Sequence, residues 1–341
     1  MAALAQVLRR TLAGRYVILF AVLYGFIAAP ACGSLESSAD EVTTVSAGRE
    51  WKEWDVLDSR LGAPVKFDQW LDHLSGYDIV YVGEEHHNRF HIEAALKILR
   101  SLVDRNRHPT LTLEMFGWDG QEAVDRYAHG DYDQASQADF LAQSRWTQNW
   151  GGSFEDYAPL LDFAREHHLA VRAMNPPKSV VRSVVKKGLI GAKSEPDWSR
   201  WGLDKETIVD DPLYRDKILG QLQQCHGGGA PEDYETMYEA SMVRDEAMAK
   251  TIADAWELSR VTGADGGPIV SYTGGGHIQY SLPVPKRVAR RLSSDVKQVT
   301  IYLASFEPSR NAELRQSMEE GLADYLWLTP LSAQGPPRRC R

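Results

Sequence analysis

The chain has 341 residues, a formal net charge of −9 and three cysteines. That acidity, with no basic stripe interleaved with aromatics, argues against nucleic acid as a partner. Cys225 and Cys340, the latter in a polar tail at 331–341, do not make a disulfide framework and read as free thiols.

At the start of the chain, Arg9, Arg10 and Arg15 lead into an apolar run from Tyr16 to Ala29, and small residues then reach Cys32. That order predicts a secretory signal over 1–31. The run is shorter than the ~20 residues of a membrane-spanning helix. Ala29-Pro30-Ala31-Cys32 resembles a bacterial lipobox, which implies acylation of Cys32 and an outer-membrane lipid partner. A plainly cleaved exported or periplasmic protein and an uncleaved anchor are the alternatives. Residues 32–50, rich in Ser, Glu and Thr, predict a flexible tether.

Over 51–330 the pattern predicts a single α/β domain, a mainly parallel sheet flanked by helices. Strands are expected at Asp78–Val82, Thr110–Leu113, Leu169–Ala173, Pro268–Tyr272, Val296–Ala304 and Asp324–Leu328. They are short and nearly all apolar, as expected of strands covered on both faces. Phe90, Ile92, Leu96, Leu99 and Leu102 give a helical stripe between the first two. From 178 to 255 no strand is expected, only charged helical patterns with scattered Trp and Tyr. This segment reads as a helical insertion or small subdomain ending in a helix from about Asp233, with Pro231-Glu232-Asp233 as its start signal.

The polar residues follow the strands. Gly83-Glu84-Glu85-His86-His87 comes after the first, Glu114 ends the second, Asn175-Pro176-Pro177 follows the third and Gly274-Gly275-Gly276-His277 the fourth. Ligands of open parallel sheets bind beyond the carboxyl ends of the strands, so these segments predict one site. Each part also has a plainer reading: a hydrogen-bonded structural histidine, or glycines that make a tight turn. Glu114 lies in an apolar run, where a carboxylate needs a cation, a donor or a metal. With His86 and His277 it would form a two-nitrogen, one-oxygen ligand set for zinc, manganese or a similar divalent ion, or it could serve as a general acid or base. His87 and His91, four apart, would share a helix face and could hold a metal or haem. Tyr234 and Tyr238 have the same spacing, and either present a phenolate to haem iron or form a packing stripe.

Taken in order, Val82–His87, Leu113–Phe116, Trp150 through Leu160, Met174–Pro176, Arg244–Ala249 and Gly274–Ile278 resemble the ChaN-type haem-binding lipoproteins, part of a wider set with the Tiki/TraB proteins and erythromycin esterases. The resemblance implies an α/β core with a smaller helical part, haem as cofactor, and work with a haem or iron uptake system at the bacterial surface, with a homodimer as a further expectation. It also implies a shared polar centre of Glu84, His86, Glu114, Arg244 and His277. His87 departs from the pattern by placing a second imidazole after the first motif. A metal-dependent hydrolase built on the same residues, with Glu84 or Glu85 as base, is the runner-up.

Overall fold

A computed structural model describes residues 50–132, 136–225, 230–261 and 266–333. The predicted signal, Cys32, the tether before residue 50, and residues 334–341 with Cys340 lie outside the described residues. In chain order the elements are β1 (Val56–Asp58), β2 (Ala63–Pro64), α1 (Phe67–Leu74), β3 (Ile79–Glu84), α2 (Arg89–Asp104), β4 (His108–Gly117), α3 (Gln121–Ala128), α4 (Gln137–Gln143), α5 (Trp146–Asn149), α6 (Ala158–Glu166), β5 (Val171–Asn175), α7 (Lys178–Ala192), α8 (Pro196–Arg200), α9 (Pro212–Cys225), α10 (Pro231–Val261), β6 (Gly266–Gly274), α11 (Val284–Arg291), β7 (Gln298–Ser305), α12 (Asn311–Glu319) and β8 (Tyr325–Thr329).

All six predicted strands form, in the sheet order β2-β1-β8-β7-β3-β6-β4-β5. The six from β8 to β5 are parallel, while β1 and β2 add an antiparallel edge that the sequence analysis did not foresee. At two and three residues, those strands are too short to show a period.

Alternation along β3 shows why the sheet is buried on both sides. Val80 and Val82 enter one core with Ile92, Leu99 and Leu102 of α2, while Ile79 and Tyr81 enter the other with Met248 and Ile252 of α10 and Val288 of α11. Each such side chain contributes about 1.5–3 kcal/mol by leaving water. At the free edge of β5, the Gln121 side chain takes the place of a strand. Its amide nitrogen donates to the Val171 carbonyl (2.9 Å) and its oxygen accepts from the Ala173 N–H (2.6 Å).

The strandless stretch after β5 folds as α7 to α10. The 31-residue α10 starts at Pro231 as the sequence signalled, with Glu232 and Asp233 in its first turn. Its second half packs on the sheet through Met248, Ala249 and Ile252. Its first half carries α7, α8 and α9 through Ala240, Val243 and Met242. One helix thus serves both the core crossover and the insertion. Cys225, expected as a free thiol, is instead disulfide-bonded.

Candidate functional site

The chain switches sides of the sheet around β3, which lies between β6 and β7. The loops after β3, β4, β5 and β6 therefore open onto one crevice, the position expected for a ligand in this architecture.

The two Gly-x-x-His loops lie across one another, and their glycines are there for close approach. A Cβ on Gly83 would come within 2.6 Å of the Ile278 side chain, and one on Gly274 within 2.8 Å of the His86 ring. Neither glycine has a positive φ. The requirement is space, not the backbone freedom of a tight turn.

Glu84, at the end of β3, is buried and accepts hydrogen bonds from Tyr272 Oη (2.8 Å), Tyr157 Oη (3.1 Å) and His86 Nδ1 (2.7 Å). Burial and then the charge of Glu84 push both phenols far above their ordinary value, so they remain donors. Because His86 Nδ1 donates to Glu84, its Nε2 is left for the crevice, and the side chain is 44% exposed. Burial works against a charge on His86, but the Glu84 hydrogen bond and the Glu114 carboxylate outweigh it and raise the pKa. Trp150 stands edge-on to this ring at 4.7 Å.

Glu114 is buried and fully engaged. Oε1 accepts from Arg244 Nη2 (2.7 Å) and faces His277 Nε2 (3.3 Å), and Oε2 accepts from Thr273 Oγ1 (2.7 Å) and Gly274 N (2.6 Å). Desolvation opposes the charge, yet His277 and Arg244 hold the carboxyl well below its ordinary value. This answers the need for a partner read from the sequence. Asn175 fixes the geometry by donating to the Glu114 carbonyl (2.6 Å) and accepting from Arg244 Nε (3.2 Å).

His277 is set quite differently from His86. Nδ1 donates to Asp245 Oδ1 (2.5 Å), whose other oxygen accepts from Tyr214 Oη (2.5 Å). Burial disfavours the imidazolium, but Glu114 and Asp245 raise its pKa to about 9. The ring is a cation at neutral pH with both nitrogens donating to carboxylates. The expected metal triad of His86, Glu114 and His277 is not presented in this arrangement, since both nitrogens of His277 are engaged by Asp245 and Glu114. Among the described residues, no group of three or more His, Cys, Asp or Glu is arranged to hold a metal ion.

Other expected site residues fall elsewhere. His87 and His91 do not share a helix face. Asn88 caps α2, its side chain accepting from Phe90 N, and His87 precedes it with φ +62. His87 lies at the crevice, Nδ1 donating to Asp156 Oδ2 (2.7 Å), with its side chain 35% exposed. His91 is buried, accepting from Glu85 N (2.9 Å) and bonded to Thr329 Oγ1 (3.0 Å); burial and the nearby Arg310 lower its pKa to about 3. It is a neutral structural residue. Glu85 turns away to Ser305. Tyr238 is buried against Tyr214 and donates to Asp210 (2.6 Å), and Tyr234 is buried on the same helix. With its ring on Tyr214 and its hydroxyl on Asp210, Tyr238 takes the packing reading.

The crevice encloses about 370 Å³, lined among others by His86, His87, Trp150, Pro176, Lys178, Val181 and Arg244. Tyr272, which donates to Glu84, was not singled out from the sequence.

Together these features define an α/β protein with a polar-floored ligand crevice at its strand ends. The chain belongs to the family described as haem-binding uptake, Tiki superfamily, ChaN, which matches residues 70–288. ChaN of Campylobacter jejuni, whose structure is described for cofacial haem binding, superposes with a TM-score of 0.60 at 16% identity, covering 82% of this chain and 97% of that one. At that identity the likeness speaks for the fold. Protein RETICULATA-RELATED 5, chloroplastic, of Arabidopsis thaliana is 26% identical over 279 residues, 77% of this chain. The match spans only 35% of that relative's length. An erythromycin esterase structure matches at a TM-score of 0.39 and 14% identity, over 71% of this chain and 74% of that one, too remote to inform the chemistry.

Proposed function

We propose that the protein binds haem in the crevice above the Gly-x-x-His loops. The observation that carries this reading is the pair of partly exposed imidazoles, His86 and His87, each bonded through Nδ1 to a carboxylate and lying beside Trp150. A carboxylate behind an imidazole is the usual support for a nitrogen that ligates a metal centre. Trp150, Pro176 and Val181 offer apolar surface for a macrocycle, and Lys178 and Arg244 offer cations for its carboxylates. When bound, haem would supply an iron centre able to accept one of these nitrogens. The crevice lies at the small end of the roughly 300–1,000 Å³ range of ligand pockets, which suits one edge of a tetrapyrrole. Family membership and the haem named in the description of the Campylobacter relative support the same reading.

We extend the proposal to cellular role: an exported lipoprotein, acylated at Cys32, that handles haem at the outer membrane for an uptake system. The order of charges, apolar run and cysteine at the chain start supports it. Titration of the full-length protein with haemin tests the core of the reading. A saturable Soret shift, weakened by His86→Ala or His87→Ala, is expected; no saturable shift would overturn it.

One arrangement favours a second reading, metal-free hydrolysis. His86 backed by Glu84 has the form of a general base, and Arg244 stands opposite as a cation for a developing oxyanion. Turnover of simple aryl esters that disappears in His86→Ala would select this reading over haem binding.

A further inference from the structure

In a chain of net charge −9, the segment from Lys178 to Lys193 holds five cations and no acid. Among the described residues only Lys187 is bridged, to Glu195. Among the described residues, no carboxylate pairs with Lys178, Arg182, Lys186 or Lys193. The helical spacing of α7 puts Lys178, Arg182, Val185 and Lys186 on one face, opposite Val180 and Val184, which are buried against α10. That face is apolar as well as basic. Val185 is 43% exposed, and beyond the break at Gly188 (φ +69) Ile190 is 87% exposed.

Exposed aliphatic side chains interleaved with unpaired cations are costly in water and match a surface that offers negative charge over hydrocarbon. We propose that this face of α7 docks on an anionic lipid surface. Pairing of the face with its own copy would set like charges against one another. The lack of any aromatic on it removes the stacking platform that a nucleic-acid strand would need. The face is continuous with the crevice, since Lys178 belongs to both. A docked protein therefore presents its crevice mouth to the membrane surface, where an apolar planar ligand concentrates. The docking itself does not depend on what the crevice binds.

The test uses full-length protein without haem, mixed with vesicles of phosphatidylcholine alone or of phosphatidylcholine with phosphatidylglycerol. An acyl chain contributes equally to both, and the leader with Arg9, Arg10 and Arg15 is common to every variant, so the loss of lipid preference on substitution reads the basic face. Tighter sedimentation with the anionic vesicles is expected, with the advantage lost at high salt. Arg182→Glu with Lys186→Glu should remove at least about tenfold of that advantage. Both side chains are exposed, so the unfolding midpoint should stay put, and Arg182→Gln with Lys186→Gln serves if the reversal disturbs folding. Val185→Ser with Ile190→Ser should weaken the residual binding at high salt. Equal sedimentation with both lipids overturns the proposal. So does an unchanged lipid preference in the charge variants accompanied by a change in particle mass without vesicles, which would assign the face to a second copy. Haemin titration of the same variants is a separate readout, so failure of haem binding and failure of docking are distinguishable.

Discussion

The loops Gly83–His86 and Gly274–His277 share a sequence motif, a position after a parallel strand and a glycine that admits the other loop, yet their histidines differ. His86 has one nitrogen on Glu84 and its other edge in the crevice, whereas His277 has both nitrogens on carboxylates and a side chain only 16% exposed. The difference comes from α10. It brings Asp245 up behind His277 and Arg244 onto Glu114, while nothing comparable closes over His86. One motif thus yields an imidazole available to a ligand and an imidazolium locked into the floor. Spacing alone does not assign a histidine its protonation state; the second carboxylate does.

The most severe way to break this contrast is to remove the shared anion. Glu114→Ala leaves the partly exposed Arg244 without its anion and the buried His277 with Asp245 alone, and should cost about 3–5 kcal/mol in denaturant unfolding. The locked state of His277 should also appear as a pH dependence. Its folded pKa, about 9, lies above the ordinary value near 6.5, so its contribution is fully present below about pH 6.5 and is lost as pH rises through 9. A loss on the order of 3 kcal/mol between those limits is expected, and it should vanish from the unfolding profile of His277→Gln. Next comes the crossing of the loops. Gly83→Ala forces a Cβ into Ile278 and should cost about 1–3 kcal/mol by thermal unfolding. Gly276→Ala, with open space at its Cβ, should stay within about 0.5 kcal/mol. The open imidazole should also bear little on stability. His86→Ala should change unfolding by no more than about 1 kcal/mol, while its effect on haemin affinity is the larger one, measured by Soret titration.

Much of this site was legible in the sequence. Strand ends carrying Glu84, Glu114, Asn175 and the glycine-rich turn predicted a common crevice, and the cost of burying Glu114 predicted partners for it. What the sequence did not reveal was direction. Asn88 is a good helix cap, and reading it as one would have separated His87 from His91. The Tyr238–Asp210 and Tyr214–Asp245 bonds join residues 28 and 31 positions apart, across segments with no strand register to relate them. The phenolate reading of Tyr238 therefore had nothing local to contradict it. The short β1–β2 pair and the bridged Cys225 were hidden for a similar reason, since each depends on a partner that sequence periodicity does not specify.

The amide of Gln121 on the rim of β5 has a consequence for how the molecule keeps to itself. Two backbone groups that would otherwise offer a template to a passing strand are already occupied, and at the opposite rim β2 offers only two residues. The sheet cannot be lengthened from either side without first displacing a glutamine or extending a stub. Crowded on a surface, copies of this protein would meet through their helices and leave their strands unshared.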